Sequence, residues 1–203
     1  MNCRLHCALV TGALLLAGCS ILPKAEAPNV YLLPSTPLAV SLKQPVLQPS
    51  LRVTTPNATR ALDSTRIAVV PRDNVINGYA GARWSDRAPR LLRDRLLDAF
   101  RADGQFVALS SDDSRLQADL ELTGDLRAFQ TEYVQGAPVV VIRYDAQLVQ
   151  GTKIVAARRF DLRQPVAGKE VPQVVTAFGH ASDQLATQVV AWVAASAAHH
   201  AHD

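Results

Sequence analysis

From Leu51 onward, apolar and polar positions follow one another with a regularity that predicts the elements. "LRVT" and "TRIAVVP" read as strands, and the unbroken apolar run "IAVV" places the second at the centre of its sheet. "NVINGYAGARW", with Gly78 and Gly81 beside Tyr79 and Trp84, reads as a strand or loop entering a helix. For that helix Ser85 is the expected N-cap, Asp86 lies in the first turn, and Pro89 is early enough to be tolerated. Leu91, Leu92, Leu96, Ala99 and Phe100 form one apolar stripe, and Gly104 supplies the stop. Arg90, Arg93, Asp94, Asp98 and Arg101 fall on the other face, with Arg90 and Asp94 at the spacing of a surface ion pair.

The period then changes to two. After a strand at "QFVALS", three long segments alternate: Leu120, Leu122, Leu126 and Ala128; Val140, Ile142, Tyr144, Ala146 and Leu148; Ile154, Ala156, Phe160 and Leu162. Turn residues at Gly136–Pro138 and Gln150–Lys153 separate them, which predicts an antiparallel meander with one covered face and one wetter face. A last helix begins near Pro172 and carries a wide stripe of Val171, Val174, Val175, Phe178, Leu185, Val189, Val190 and Val193. "AASAAHHAHD" is expected to fray into a tail. The order of strands, helix, strands, helix predicts a single α+β domain: a mixed, largely antiparallel sheet with two helices packed on one face.

The chain before Leu51 has a different character. Pro23, Pro28, Pro34, Pro37, Pro45 and Pro49 punctuate it, and Ser20 to Asn29 reads as a tether reaching roughly 30 Å at about 3.1 Å per residue. On that reach the folded body is expected to stand clear of any surface the tether starts from. "VYLL", flanked by prolines, reads as a short edge strand. Further back, Ala8 to Ala17 is apolar but too short to span a bilayer, which takes roughly 20 residues. With Arg4 before it and small residues after it, the segment reads as a secretory signal. Its end, "LAGC", resembles the lipobox of bacterial lipoprotein precursors: Leu16, small Ala17 and Gly18, then Cys19. That resemblance implies cleavage before Cys19 and acylation, of the palmitate type, of its sulfur and new amine; two or more acyl chains make anchoring stable. Ser20, rather than an aspartate, after the cysteine implies sorting to the outer membrane. The expected organisation is a signal peptide over 1–18, a lipidated cysteine and Pro-rich tether over 19–49, the α+β domain over 50–197, and a disordered tail over 198–203.

Composition narrows the function mainly by exclusion. A net charge of +3, with basic and acidic residues interspersed, does not describe a nucleic-acid binder. The three cysteines, Cys3, Cys7 and Cys19, all precede the body, which therefore has no disulfide, thiol nucleophile or thiolate metal site. There is no G-x-S-x-G elbow and no phosphate-binding glycine loop. His180 has Ser182 and Asp183 nearby, but these spacings do not make a triad on one helix. His199, His200 and His202 read as tail residues, and structural metal sites want four ligands held by a fold. The pair Asp112–Asp113 reads as a solvated loop; Asp119 and Glu121 share a strand face without an evident partner. Arg158 and Arg159 fall on opposite faces of their strand. The expectation is a non-enzyme with no cofactor and no metal. Tyr79 and Trp84 either pack the preceding loop onto the first helix or form an exposed partner anchor, since Tyr and Trp favour interface centres.

Taken together, the lipobox with its nearby "YLL", the segment "LDSTRIAVVPRDNVINGYAGARWSDRAPRLLRDRLLDAF" and the apolar "ASDQLATQVVAWV" resemble the ABC-type transport auxiliary lipoproteins, the group that includes paraquat-inducible protein C. Within the long segment Tyr79, Trp84, Pro89 and Leu96 match positions that family tends to keep. The resemblance implies a non-catalytic outer-membrane lipoprotein facing the periplasm. Its partners would be an ABC ATPase, a permease and a periplasmic protein with a mammalian-cell-entry domain, in a system that moves lipids between the membranes. It would dock the periplasmic conduit, alone or as a homo-oligomer. A lipid-binding carrier and an envelope assembly factor are the alternatives.

Overall fold

A computed structural model describes residues 27–36, 47, 49–114 and 116–200, the last by its backbone only. Strands β1 (Asn29–Tyr31), β2 (Leu51–Val53), β3 (Asn57–Ala58), β4 (Arg66–Arg72) and β5 (Val75–Trp84) precede helix α1 (Ala88–Asp103). Strands β6 (Leu109–Ser111), β7 (Leu120–Val134), β8 (Ala137–Gln150) and β9 (Lys153–Pro165) follow, and helix α2 (Val171–His200) closes the described chain.

β7 organises the sheet. One edge pairs along its length with β8, which pairs in turn with β9. The other edge is shared: its first residues take β2, the middle takes β3, and Gln130–Glu132 takes β4, all parallel. β5 lies antiparallel beside β4, and β1 lies parallel beside β5; β6 flanks β2. The result is one mixed nine-stranded sheet with both helices on one face, as the alternation predicts. Apolar rows run across that face, Phe129–Ile142–Leu162 and Leu126–Tyr144–Phe160 among them. The Gln135–Gly136 turn has φ of 51° and 79°, the primed geometry whose twist suits a two-residue hairpin. Gly124 is required by contact: a Cβ there would lie 2.1 Å from the Asp145 carbonyl oxygen.

Within the β7–β9 meander the structure departs from the alternation at two bulges. A register shift after Leu126 leaves Arg127 unpaired, so Phe129 and Thr131 take the covered face and Ala128 turns to the other. A second shift near Leu148 moves Ile154 off the covered face and leaves it 54% exposed. The open face carries alternating charge instead: Asp145 accepts from Arg127 and Arg159, and Arg143 pairs with Asp161. Arg158, expected on the opposite face from Arg159, lies over the Phe160 ring.

α1 starts later than expected. Arg87 is its N-cap and makes no side-chain cap bond, while the Ser85 N–H donates to the Tyr31 carbonyl at 2.8 Å. Pro89 occupies the first turn, where no intrahelical N–H is lost, and Gly104 ends the helix at φ 71°. Leu92, Leu96, Ala99 and Phe100 are buried as predicted, but so are Arg93 and Arg95. Arg90 pairs with Asp86 and Asp113 rather than with Asp94. α2 buries Val174, Phe178, Leu185, Val189 and Val193 and stays helical beyond Ala194, where fraying was expected; 201–203 lie outside the described residues. Trp84, Phe129 and Phe178 meet at the centre, with Phe129 stacked on Phe178 at 4.8 Å and Trp84 edge-on to Phe178 at 5.2 Å.

Candidate functional site

The residues around the N-terminal segment make the most specific polar arrangement in the fold. β1 enters on the exposed edge of β5, with Asn29 opposite Ala82 and Tyr31 opposite Trp84. Beyond it the chain crosses to the helices. Arg95 reaches from α1 and donates through Nη2 to the Leu33 and Pro34 carbonyls. Its Nη1 lies 3.3 Å from the Asp183 carboxylate on α2, and that carboxylate accepts the Thr36 N–H at 2.9 Å. Arginine suits the position because one planar fork serves carbonyls and a carboxylate together. Gly179 completes the seat: a Cβ there would fall 2.9 Å from the Pro34 oxygen and 3.0 Å from its Cβ. One arginine, one aspartate and one missing methyl group thus fasten the segment leading from the N-terminus to both helices.

A second cluster lies on the same helix. Arg93 pairs through Nη1 with Asp112 at 2.7 Å and through Nη2 with Asp94 at 2.7 Å and Asp113 at 2.8 Å. Burial alone would lower its pKa, but hydrogen bonds to Asp113, Asp112 and Asp94 outweigh that and raise it. Burial pulls the Asp112 carboxyl upward; hydrogen bonds from Arg93 and the Thr55 N–H win and hold it below its ordinary value. The Arg93 hydrogen bond also depresses Asp113. The aspartate pair expected to be a solvated loop instead ties the loop after β6 to α1. Asp119 and Glu121 have partners too: Asp119 accepts from the Ser50 N–H and hydroxyl, and Glu121 faces Arg52 at 3.8 Å.

Trp84 is 1% exposed and wedged against Phe129 and Phe178, so it presents no surface to a partner and serves packing. Tyr79 is partly buried against the same core, and burial raises its pKa. Cys19 lies outside the described residues, as do the signal segment, most of the tether and His202. Ser182 is fully buried while His180 is exposed and Asp183 is engaged by Arg95, so the three do not converge. Among the described residues no three metal-ligating side chains group together, and no helix is long and apolar enough to cross a membrane. Sequence reasoning missed Arg95 and Gly179. The signals were present: Arg95 sits three residues after Leu92 and four before Ala99, on the apolar stripe, and a glycine inside a helix often marks a close approach.

The model of the ABC-type transport auxiliary lipoprotein component matches residues 31–190, from the edge strand through most of α2. The chain belongs to this family. The auxiliary lipoprotein family is a transport component rather than a catalytic one, which agrees with a site made of a fastened strap and ion pairs. The crystal structure of XCC0632 from Xanthomonas campestris is similar, with 26% identity and a TM-score of 0.79 over 86% of this chain and all of that one. The hypothetical protein CT253 from Chlamydia trachomatis shares the fold at 9% identity and a TM-score of 0.52, over 73% of this chain and 96% of that one. An uncharacterized protein of Bradyrhizobium diazoefficiens is 30% identical over 160 residues, 77% of this chain; the match spans only 42% of that longer relative.

Proposed function

We propose that this auxiliary lipoprotein is cut before Cys19, acylated there and held in the outer membrane facing the periplasm. In this reading it is the non-catalytic docking subunit of an ABC system whose periplasmic component carries a mammalian-cell-entry domain and whose cargo is lipid. The observation that carries it is the coincidence of "LAGC" with a body that grips the chain just downstream of it. A force borne by the anchor passes through Arg95 and Asp183 into both helices, which suits a subunit that must hold a conduit at a fixed distance from a membrane. Two open clefts among the described residues, of about 280 Å³ beside Arg52 and about 240 Å³ beside Leu91, are each too small to enclose a diacyl lipid.

Affinity purification of the full lipoprotein from detergent-solubilised envelopes should recover the mammalian-cell-entry protein with its permease and ATPase. Repeated recovery without any of them would defeat the docking reading. Cys19→Ser should leave the protein unacylated and release it from the outer-membrane fraction; full retention there would defeat the anchoring.

A further inference from the structure

Two tight turns lie at one end of the sheet. The β4–β5 turn at Asp73–Asn74 and the β7–β8 turn at Gln135–Gly136 reach the same level, because β4 and β7 run parallel with Val70 opposite Glu132. Three large apolar side chains stand exposed beside them: Ile76 at 40%, Tyr133 at 38% and Val134 at 46%. Arg72 and Lys169 add positive charge at this end, against Asp73 and Glu170, while Glu132 is paired with Arg163.

The direction of β1 decides what meets this end. β1 is parallel to β5, and β5 begins at the turn, so the chain preceding Asn29 comes from the turn end. Asn29 is level with Ala82, and because β5 bulges there, its residues Val75 to Arg83 span only Arg72 to Arg66 of β4, six residues or about 20 Å along the sheet. Cys19 is ten residues before Asn29 and can lie at most about 35 Å from it. A tether running alongside the sheet would therefore bring Cys19 at most about 15 Å beyond the turns. On such a path more than half of the tether's roughly 30 Å reach would be taken up beside the body.

We propose that the two turns form a lipid-facing tip, with Ile76, Tyr133 and Val134 at the headgroup level of the membrane that holds Cys19. Tyrosine with flanking aliphatic residues and a few cations suits that boundary. The inference rests on acylation at Cys19.

The mature body contains no cysteine after Cys19, so one introduced thiol can be labelled alone. The acylated full-length protein bearing Val134→Cys, or Thr152→Cys at the opposite end of the sheet, would carry an environment-sensitive dye. Each would be reconstituted in phosphatidylethanolamine–phosphatidylglycerol vesicles containing headgroup-nitroxide lipid. The expected result is several-fold stronger quenching at position 134 than at 152, with a blue-shifted emission. Equal quenching at the two positions, or stronger quenching at 152, would overturn the proposal. So would a dye at 134 that ignores lipid and is shielded only on adding envelope proteins, which would assign the tip to a protein partner. Failure of the anchoring reading looks different: the unsubstituted chain would then take dye at Cys19 and fail to float with vesicles.

Discussion

Arg93 and Arg95 stand two residues apart on α1, both nearly sealed from solvent, yet they hold different things. Arg93 is met by three carboxylates from its own helix and the loop after β6, all within the body. Arg95 meets two carbonyls of an incoming strap and one carboxylate of the far helix. The first arrangement neutralises a buried charge several times over. The second leaves Arg95 Nε without a hydrogen-bond partner among the described residues and spends the guanidinium on backbone. The difference separates a group that keeps the body folded from one that keeps the N-terminal strap on it.

Four substitutions probe that separation. The largest loss is expected from Trp84→Ala, which empties the aromatic centre under both clusters and should cost about 3–5 kcal/mol by denaturant unfolding; a near-zero change would mean that the centre is not packed as described. Arg93→Ala should follow at about 2–3 kcal/mol, less than a fully buried pair because its partner carboxylates are partly exposed. Its signature is pH dependence. Asp112 and Asp113 titrate below their ordinary range when folded, so their contribution is complete above about pH 4 and fades as the pH drops through the lowered values. In the Arg93→Ala variant that acid-side loss should shrink. Arg95→Ala should lower global stability less, by about 1–2 kcal/mol, while opening the strap, read as faster proteolysis between Leu32 and Thr36. Equal proteolysis in both arginine variants would erase the contrast. Gly179→Ala should be smallest overall, because a gain in helix propensity of up to about 1 kcal/mol offsets crowding against Pro34. It should still speed hydrogen exchange at the Thr36 N–H without changing exchange in β8.

Much of this fold was legible in the chain. The β7–β9 meander shows because each strand keeps a period of two over most of its length, and "VYLL" shows because prolines isolate a short apolar run. The two bulges were not legible. Arg127 and Val155 interrupt the alternation by single residues, and nothing local separates a bulge from a continuous strand that exposes Phe129. The buried arginines were misplaced for a different reason. Charge was assigned to the solvent face by default, although Arg95 lies on the apolar stripe by spacing, and its partners are remote in sequence. Trp84 was ambiguous because one aromatic before a helix fits packing and recognition equally; only Phe129 and Phe178, brought from two other elements, resolve it.

The strap also constrains the order of events during biogenesis. The hydrogen bond from the Thr36 N–H to Asp183 joins positions 147 residues apart, so it awaits the last element of the chain. A polypeptide that emerges N-terminus first presents its N-terminal segment long before α2 exists, and contacts this distant in sequence form late. Under the acylation proposed at Cys19, the anchor would be in place while the body is still a loose chain. Docking of α2 is what completes the fastening of the strap at Leu33–Thr36, and a chain truncated before Asp183 would lose it.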